Sequence, residues 1–414
     1  MAETTTDNGV KATATGAPET SRATVPGRLL DWCRRPEGTV VLFVAAWSLA
    51  LDVIAVLGAR FIAAQPHPGR SAITAAWQQW DGNWFERIVA GGYHYFPDQI
   101  PGHGAYYLQA AFYPGFPVIA RGLYEIVNPL GIGVTGAMLI TNQVLIFAFA
   151  LLFYRLALVL TEDTAVAVRA VQYLLLFPFA YFLLAPYSET VFLTCLAGFS
   201  WALVSRRYGA AALFGAAASA TRLVGIVLPV IVIVAYLEQN GWRLRSIRPR
   251  IVVYALTPLA GAAAYALYQW AEFGDPLYSQ HASKLGWARS FTLNIPKVVR
   301  ESFGHQPLSA GYIHGIPLEA FVIWPLLIAF VALSVAAWRR FGAALGLLCL
   351  LLMLESITSG SLLSFNRYLL PLLPCFIVLA IIGRNSLLDS VYRMFGSLLL
   401  GLFLVMFVHA IWTG

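Results

Sequence analysis

The chain has 414 residues, of which 59% are hydrophobic and only 11% charged, with a formal net charge of +7. Soluble domains carry roughly 25% charged residues, so a soluble globular protein is excluded and a polytopic, all-α membrane protein is expected. Apolar runs recur from residue 39 to residue 411 and leave no separate soluble domain, so any chemistry resides in loops and at helix ends.

Residues 1–35 read as a disordered cytoplasmic tail, rich in Thr and Ala and lacking the apolar centre of a cleavable signal peptide. Residues 36–414 read as one multi-span domain. Candidate spans are 39–64, 134–158, 165–185, 188–204, 251–271, 318–338, 342–357, 366–383 and 394–411. The segment 209–237 follows Arg206 and Arg207 and precedes Arg243, Arg245, Arg248 and Arg250, so both of its ends belong on the cytoplasmic side. At about 1.5 Å per residue it would form a rod of roughly 44 Å, too long for one upright crossing. It reads as two half-spans meeting at SATRLVG, with Arg222 at the outer bend. Segment 112–127 reads as lying on the outer surface.

This tracing gives about eleven crossings, an inner amino terminus, and two external loops, 65–133 and 272–317. The first of these is expected to carry amphipathic helices. All seven histidines, His67, His94, His103, His281, His305, His314 and His409, fall on or near the outer side. Chemistry is therefore expected on the extracytoplasmic face of a plasma-membrane protein. The four cysteines, Cys33, Cys195, Cys349 and Cys375, have no CxxC spacing, so neither a disulfide framework nor a zinc site is predicted. Asp52 is the clearest mid-span charge and reads as structural, paired with another span.

The first external loop contains AWQQWDGNWFERIVAGGYHYFP, residues 76–97. As one helix it would align Trp77, Asp81, Trp84 and Ile88 in a stripe. An interfacial helix with an aromatic belt accounts for the tryptophans. It does not account for Asp81, because a carboxylate in such a stripe costs free energy unless it has a partner or a task. In FAYFLLAPYSETVFL, residues 179–193, Glu189 opens a returning helix, where the helix dipole favours an anion and capping alone would explain it. In GSLLSFNRYLLPLLP, residues 360–374, Arg367 suits either a snorkelling role or a phosphate contact. His281 and Lys284 lie in YQWAEFGDPLYSQHASKLGW, residues 268–287, where a plain loop surface is the simpler account. The GIGVTG stretch at 131–136 matches a dinucleotide fingerprint but opens a span and follows no strand. The absence of a DxD motif argues against a metal-held nucleotide sugar.

WDGNWFERIVAGGY, AFYPGFPVIAR, APYSETVF, ATRLVG and SFNRYLLPLLP, in this order, resemble the PIG-V family of mannosyltransferases. That family adds a mannose during assembly of glycosylphosphatidylinositol anchors. The resemblance implies a GT-C architecture with a catalytic acid in the first external loop and a polyprenyl-phosphate-mannose donor. It implies an acceptor that is a glycolipid, glycan or protein, and transfer with inversion. By that resemblance Asp81 is the general base. Arg222 and Arg367, with Lys284 and His281 behind them, bind the donor phosphate. Tyr93, Tyr187 and Glu189 position sugar or acceptor, and Trp80 or Trp84 stacks on a sugar face. No nucleic acid partner, bound metal or further cofactor is implied, and the requirement for a divalent metal stays open. The segment HYFPDQIPGHGAYYLQA between the GGY and FYPGFP elements departs from the family pattern. So does TRLVG, which lacks a polar residue between Arg and Gly. Another polyprenyl-phosphate sugar, or transport of a lipid-linked sugar, are the competing readings. A transporter would more typically show mid-membrane charges at repeat-related positions, and no internal repeat is found.

Overall fold

A computed structural model describes residues 1–2, 35–61, 71–298, 318–360, 362 and 364–411. The expected tail, Cys33, His67, His305 and His314 lie outside the described residues. A chain crossing a bilayer has to satisfy its backbone hydrogen bonds within itself, which the helix does segment by segment. Among the described residues the fold is all-α apart from one short hairpin. Among the described residues five helices are long and apolar enough to span: Pro36–Arg60, Val134–Thr161, Pro249–Phe273, Ile323–Phe341 and Ser386–Val408. Five shorter apolar helices accompany them.

In chain order the helices are α1 (Pro36–Phe61), α2 (Ala72–Trp77), α3 (Asp81–Gly91), α4 (Gly115–Val127), α5 (Val134–Thr161), α6 (Thr164–Leu175), α7 (Glu189–Val204) and α8 (Tyr208–Thr221). They continue as α9 (Leu228–Gln239), α10 (Pro249–Leu256), α11 (Ala260–Phe273), α12 (Tyr278–Trp287), α13 (Leu318–Phe341), α14 (Ala343–Thr358), α15 (Leu373–Ile382) and α16 (Ser386–Val408). The central helix is α5, which packs on α1, α6 and α7, while α7 also packs on α8. α13, α14 and α15 form a second group joined to the first through α6 and α9.

The segment expected as two half-spans does break at Arg222, between α8 and α9. Gly225 makes the break tight, since a Cβ there would lie 2.6 Å from the Ser219 nitrogen. Asp52 takes hydrogen bonds from Trp77 Nε1 at 2.8 Å and Gln143 Nε2 at 2.9 Å, the latter on α5, so it ties the first loop and a neighbouring helix to α1.

Three expectations need correction. The stripe from Trp77 to Ile88 is not one helix, because the chain leaves α2 at Trp77 and re-enters a helix only at Asp81. The expected spans 165–185 and 366–383 are each α-helical over only part of their length, in α6 and α15; the remainders, which include short 3-10 turns at Ala180–Leu183 and Arg367–Leu369, line the site described below. Residues 177 to 185 are buried with the exception of Pro178. The first loop, besides its helices, holds an antiparallel pair of strands, β1 (Asp98–Ile100) and β2 (Gly104–Tyr106), within the segment that departs from the family pattern.

Candidate active site

Between α2 and α3 the chain makes a turn closed by Gly82 N–H donating to Gln79 O at 2.9 Å. Trp80 occupies it at φ 46° and ψ −113°, the conformation of the first central residue of a type II′ turn, which glycine ordinarily fills. The turn is held by Tyr187, whose hydroxyl accepts the Asp81 N–H at 3.2 Å and donates to Gln79 O at 3.1 Å. Gly82 allows the approach: a Cβ there would meet the Pro186 ring at 2.9 Å. The Pro186 turn is fixed in its own right by Asn142, which donates to the carbonyls of Ala185 and Tyr187. The WDG and PYSE motifs, about a hundred residues apart, therefore form one rigid unit. Burial, with the Asp81 charge beside it, pushes the Tyr187 phenol well above its usual range and keeps it a neutral donor.

Asp81 and Glu189 each open a helix, α3 and α7, where the helix dipole favours an anion. Arg367 bridges them, with NH2 2.6 Å from Asp81 Oδ2 and Nε 3.6 Å from Glu189 Oε1. Arg222 reaches the same Glu189 oxygen at 2.8 Å. The result is an alternating line, Asp81, Arg367, Glu189, Arg222, whose members come from four of the five motifs. The fifth, FYPGFP, supports it from behind: Gly115 lies so close to the backbone of Thr221 that a Cβ would fall 2.9 Å from the Thr221 Cα.

Tyr368 is the second centre. The Arg222, Arg289 and Arg367 guanidiniums lie 4.7, 5.4 and 5.3 Å from its ring centroid, and Arg289 also donates to its hydroxyl at 2.8 Å. Burial opposes its ionisation, but the Arg289, Arg367 and Arg222 charges together bring its pKa down to about 8. Arg289 was not singled out in the sequence. Its loop is set by backbone bonds to the end of α14, Ser290 N to Ser359 O and Thr292 N to Thr358 O, and by a close approach of Gly360 to Ser290. Glu355, on α14, lies near Arg222 and Arg289. Neither residue stands in a motif, so only the fold could bring them forward.

Compared with solved structures, the chain is similar to the Archaeoglobus fulgidus oligosaccharyltransferase in its apo form, at 13% identity and a TM-score of 0.50. The match covers 93% of this chain and 57% of that one, so the chain spans just over half the length of that relative. Its fold is the GT-C fold. A further likeness is to ArnT from Cupriavidus metallidurans bound to undecaprenyl phosphate, at 17% identity and a TM-score of 0.49, covering 90% of this chain and 76% of that one. No protein-family model and no curated protein matches the sequence.

Within the GT-C fold the remaining expected site residues are placed as follows. His281 and Lys284 lie on α12 as exposed side chains, and His281 pairs with Asp275 at 2.6 Å. Tyr93 is buried, donates to Phe112 O at 2.8 Å and packs against Tyr265 and Tyr268, which makes it a brace of the first loop. Trp84 stacks near Phe112, meets Trp287 edge-on at 5.4 Å and carries the Arg87 guanidinium 4.4 Å from its ring centre. Its surfaces are thus committed to packing. Trp80 is 37% exposed beside Asp81. Among the described residues no group of three or more His, Cys, Asp or Glu is arranged to hold a metal ion.

Proposed function

We propose that this chain is a membrane glycosyltransferase of the PIG-V type, which moves mannose from a polyprenyl-phosphate donor to an extracytoplasmic glycolipid, glycan or protein acceptor, with inversion. The observation that carries this reading is the line Asp81, Arg367, Glu189, Arg222, in which two carboxylates alternate with two arginines. The GT-C fold supports it. In the proposed step Asp81 takes the proton of the acceptor hydroxyl as that oxygen bonds to the anomeric carbon. The carbon–oxygen bond to phosphate breaks on the opposite side, and its electron pair leaves on the phosphate. Arg367, which is buried, and the half-buried Arg222 and Arg289 meet that charge with positioned donors, which act most strongly where water is excluded. Trp80 offers an exposed ring beside the base for a sugar face.

Arg367 has a double duty in this scheme. With the donor phosphate seated among the arginines, the phosphate competes with Asp81 for the same guanidinium and loosens its hold, so the base is released where a leaving group is present.

The test is transfer from radiolabelled polyprenyl-phosphate-mannose by purified protein in lipid, with host lipids and membrane proteins as acceptors, comparing wild type with Asp81→Asn. Transfer by wild type that vanishes in a folded Asp81→Asn protein is expected. Equal transfer by both would remove Asp81 as the base. Transfer from another polyprenyl-phosphate sugar, and none from the mannose donor, would keep the mechanism and change the donor.

A further inference from the structure

An open cavity lies at the other end of the bundle from the Asp81 site. It has a volume of about 440 Å³ and is lined by Pro36, Thr39, Thr164, Ala165, Val168, Arg169, Gln172 and Arg393. Arg393 is in the second turn of α16, whereas Val408, at the other end of that helix, touches the turn beside Asp81 through Gln79. At about 1.5 Å per residue the two ends are roughly 22 Å apart along the helix axis, so this cavity is separate from the site described above.

Its charged lining is Arg169 and Arg393, and Arg393 also donates to Gln172 Oε1 at 2.8 Å. Arg169 and Arg393 share one carboxylate, Asp389, at 3.3 and 2.9 Å, and that carboxylate also accepts the Tyr173 hydroxyl at 2.8 Å. Two guanidiniums against one carboxylate leave one positive charge in excess. Nearby, Asp163 at the start of α6 pairs with Arg384 at 2.7 Å. The amino ends of α1, at Pro36, and α6, at Thr164, both reach the cavity wall, and that of α6 is already capped by the Asp163 carboxylate, which accepts the Val166 N–H at 3.0 Å.

The cavity also continues into an apolar track. From Thr39 in its wall, Leu42, Ala46, Leu49 and Val53 follow at helical spacing along α1, and all of them are exposed. A cationic pocket at the membrane edge with an apolar stripe running from it matches a molecule with a phosphate head and an acyl chain. We propose that this cavity binds the phosphate of an anionic membrane phospholipid, with one acyl chain along the exposed face of α1. Arginine forks suit phosphate oxygens, and an anionic headgroup answers the unmatched charge. The site stands independently of the transfer reaction.

The experiment is thermal unfolding of the purified full chain in neutral detergent with added phosphatidylglycerol, phosphatidylcholine or inorganic phosphate. A ligand that binds only the folded state raises Tm. Phosphatidylglycerol is expected to raise the Tm of wild type, and phosphatidylcholine and inorganic phosphate to leave it unchanged. Ala165→Phe, at an exposed position in the cavity wall, fills the space without touching an ion pair and is expected to abolish the rise; Thr39→Trp does the same from α1. A rise that persists in both variants would overturn the site. An equal rise with inorganic phosphate would overturn the lipid as its source, and an equal rise with phosphatidylcholine would overturn the preference for an anionic head.

Discussion

Both ends of this helical bundle gather arginines around carboxylates, and the difference between them is burial. At the Asp81 end the side chains of Arg367, Glu189 and Asp81 are 7%, 4% and 12% exposed. At the opposite end Arg393 and Asp389 are 33% and 24% exposed, and Arg384 and Asp163 are 53% and 32% exposed. Charges taken out of water depend on their partners, whereas exposed pairs are screened and contribute little. The same residue types therefore do different things: the buried line is a preorganised field that a reaction can use, and the exposed pairs leave room for a solvated headgroup.

The sharpest way to break this comparison is to remove one arginine at each end. Arg367→Gln leaves Asp81 and Glu189 buried without their shared partner and is expected to cost about 3–5 kcal/mol and to abolish transfer. Arg384→Gln is expected to cost at most about 1 kcal/mol and to leave transfer unchanged. Denaturant unfolding in detergent, read beside the transfer assay, checks both. Equal losses at the two ends would mean that burial does not set the value of these pairs.

A smaller perturbation tests the rigid unit behind Asp81, the proposed base. Gly82→Ala forces a methyl group against the Pro186 ring, and overpacking of this kind costs about 1–3 kcal/mol. Because the strain falls between Asp81 and the Glu189 turn, kcat is expected to fall with little change in KM. A variant with wild-type kcat would show that the spacing of these two turns is not what aligns the base.

Much of this architecture was legible in the sequence because it rests on patterns that the bilayer imposes. Apolar runs predicted the helices, and arginines at both ends of 209–237 predicted the break at Arg222. Quoted motifs led to Asp81, Glu189, Arg222 and Arg367, which the fold brings into one line. What was not legible depends on contacts between distant segments. Nothing local tells that the helix stops at Trp77, since the cause is a turn held by Tyr187 from another part of the chain. Arg289 carries no motif and owes its place to backbone bonds with α14. His281, Lys284, Tyr93 and Trp84 have residue types suited to a site, yet local partners, Asp275, Phe112 and Trp287 among them, hold three of these four side chains away from one.

Tyr368 offers a readout of the arginine group that does not depend on turnover. Its ordinary pKa is near 10, and the three arginines bring it to about 8 despite burial. A folded-state pKa below the unfolded one contributes stability that is full above the unfolded value and is lost as pH falls through the folded value. The contribution therefore fades between about pH 10 and pH 8. The phenolate absorbance present in wild type and missing from Tyr368→Phe should show a midpoint near 8, and a bound polyprenyl phosphate should move it upward by competing for the same cations. A midpoint that ignores the phosphate would place the donor elsewhere.

The smallest expected effect compares two residues at positive φ, one at each end. Glu162 closes α5 at φ 53° and ψ 21°, in the left-handed region that side chains tolerate at a helix end. Trp80 sits at φ 46° and ψ −113°, where a side chain costs of order 1–3 kcal/mol. Replacing each by glycine removes that cost and adds unfolded-chain entropy of about 0.5–1 kcal/mol against folding. Glu162→Gly is therefore expected to be neutral or slightly destabilising, and Trp80→Gly to stabilise by about 1 kcal/mol. The functional outcomes should run the other way, with Trp80→Gly raising KM for the sugar substrate through the lost ring and Glu162→Gly leaving it unchanged. If Trp80→Gly gains stability and keeps its KM, the strained tryptophan serves only the turn, and the sugar is held by something else.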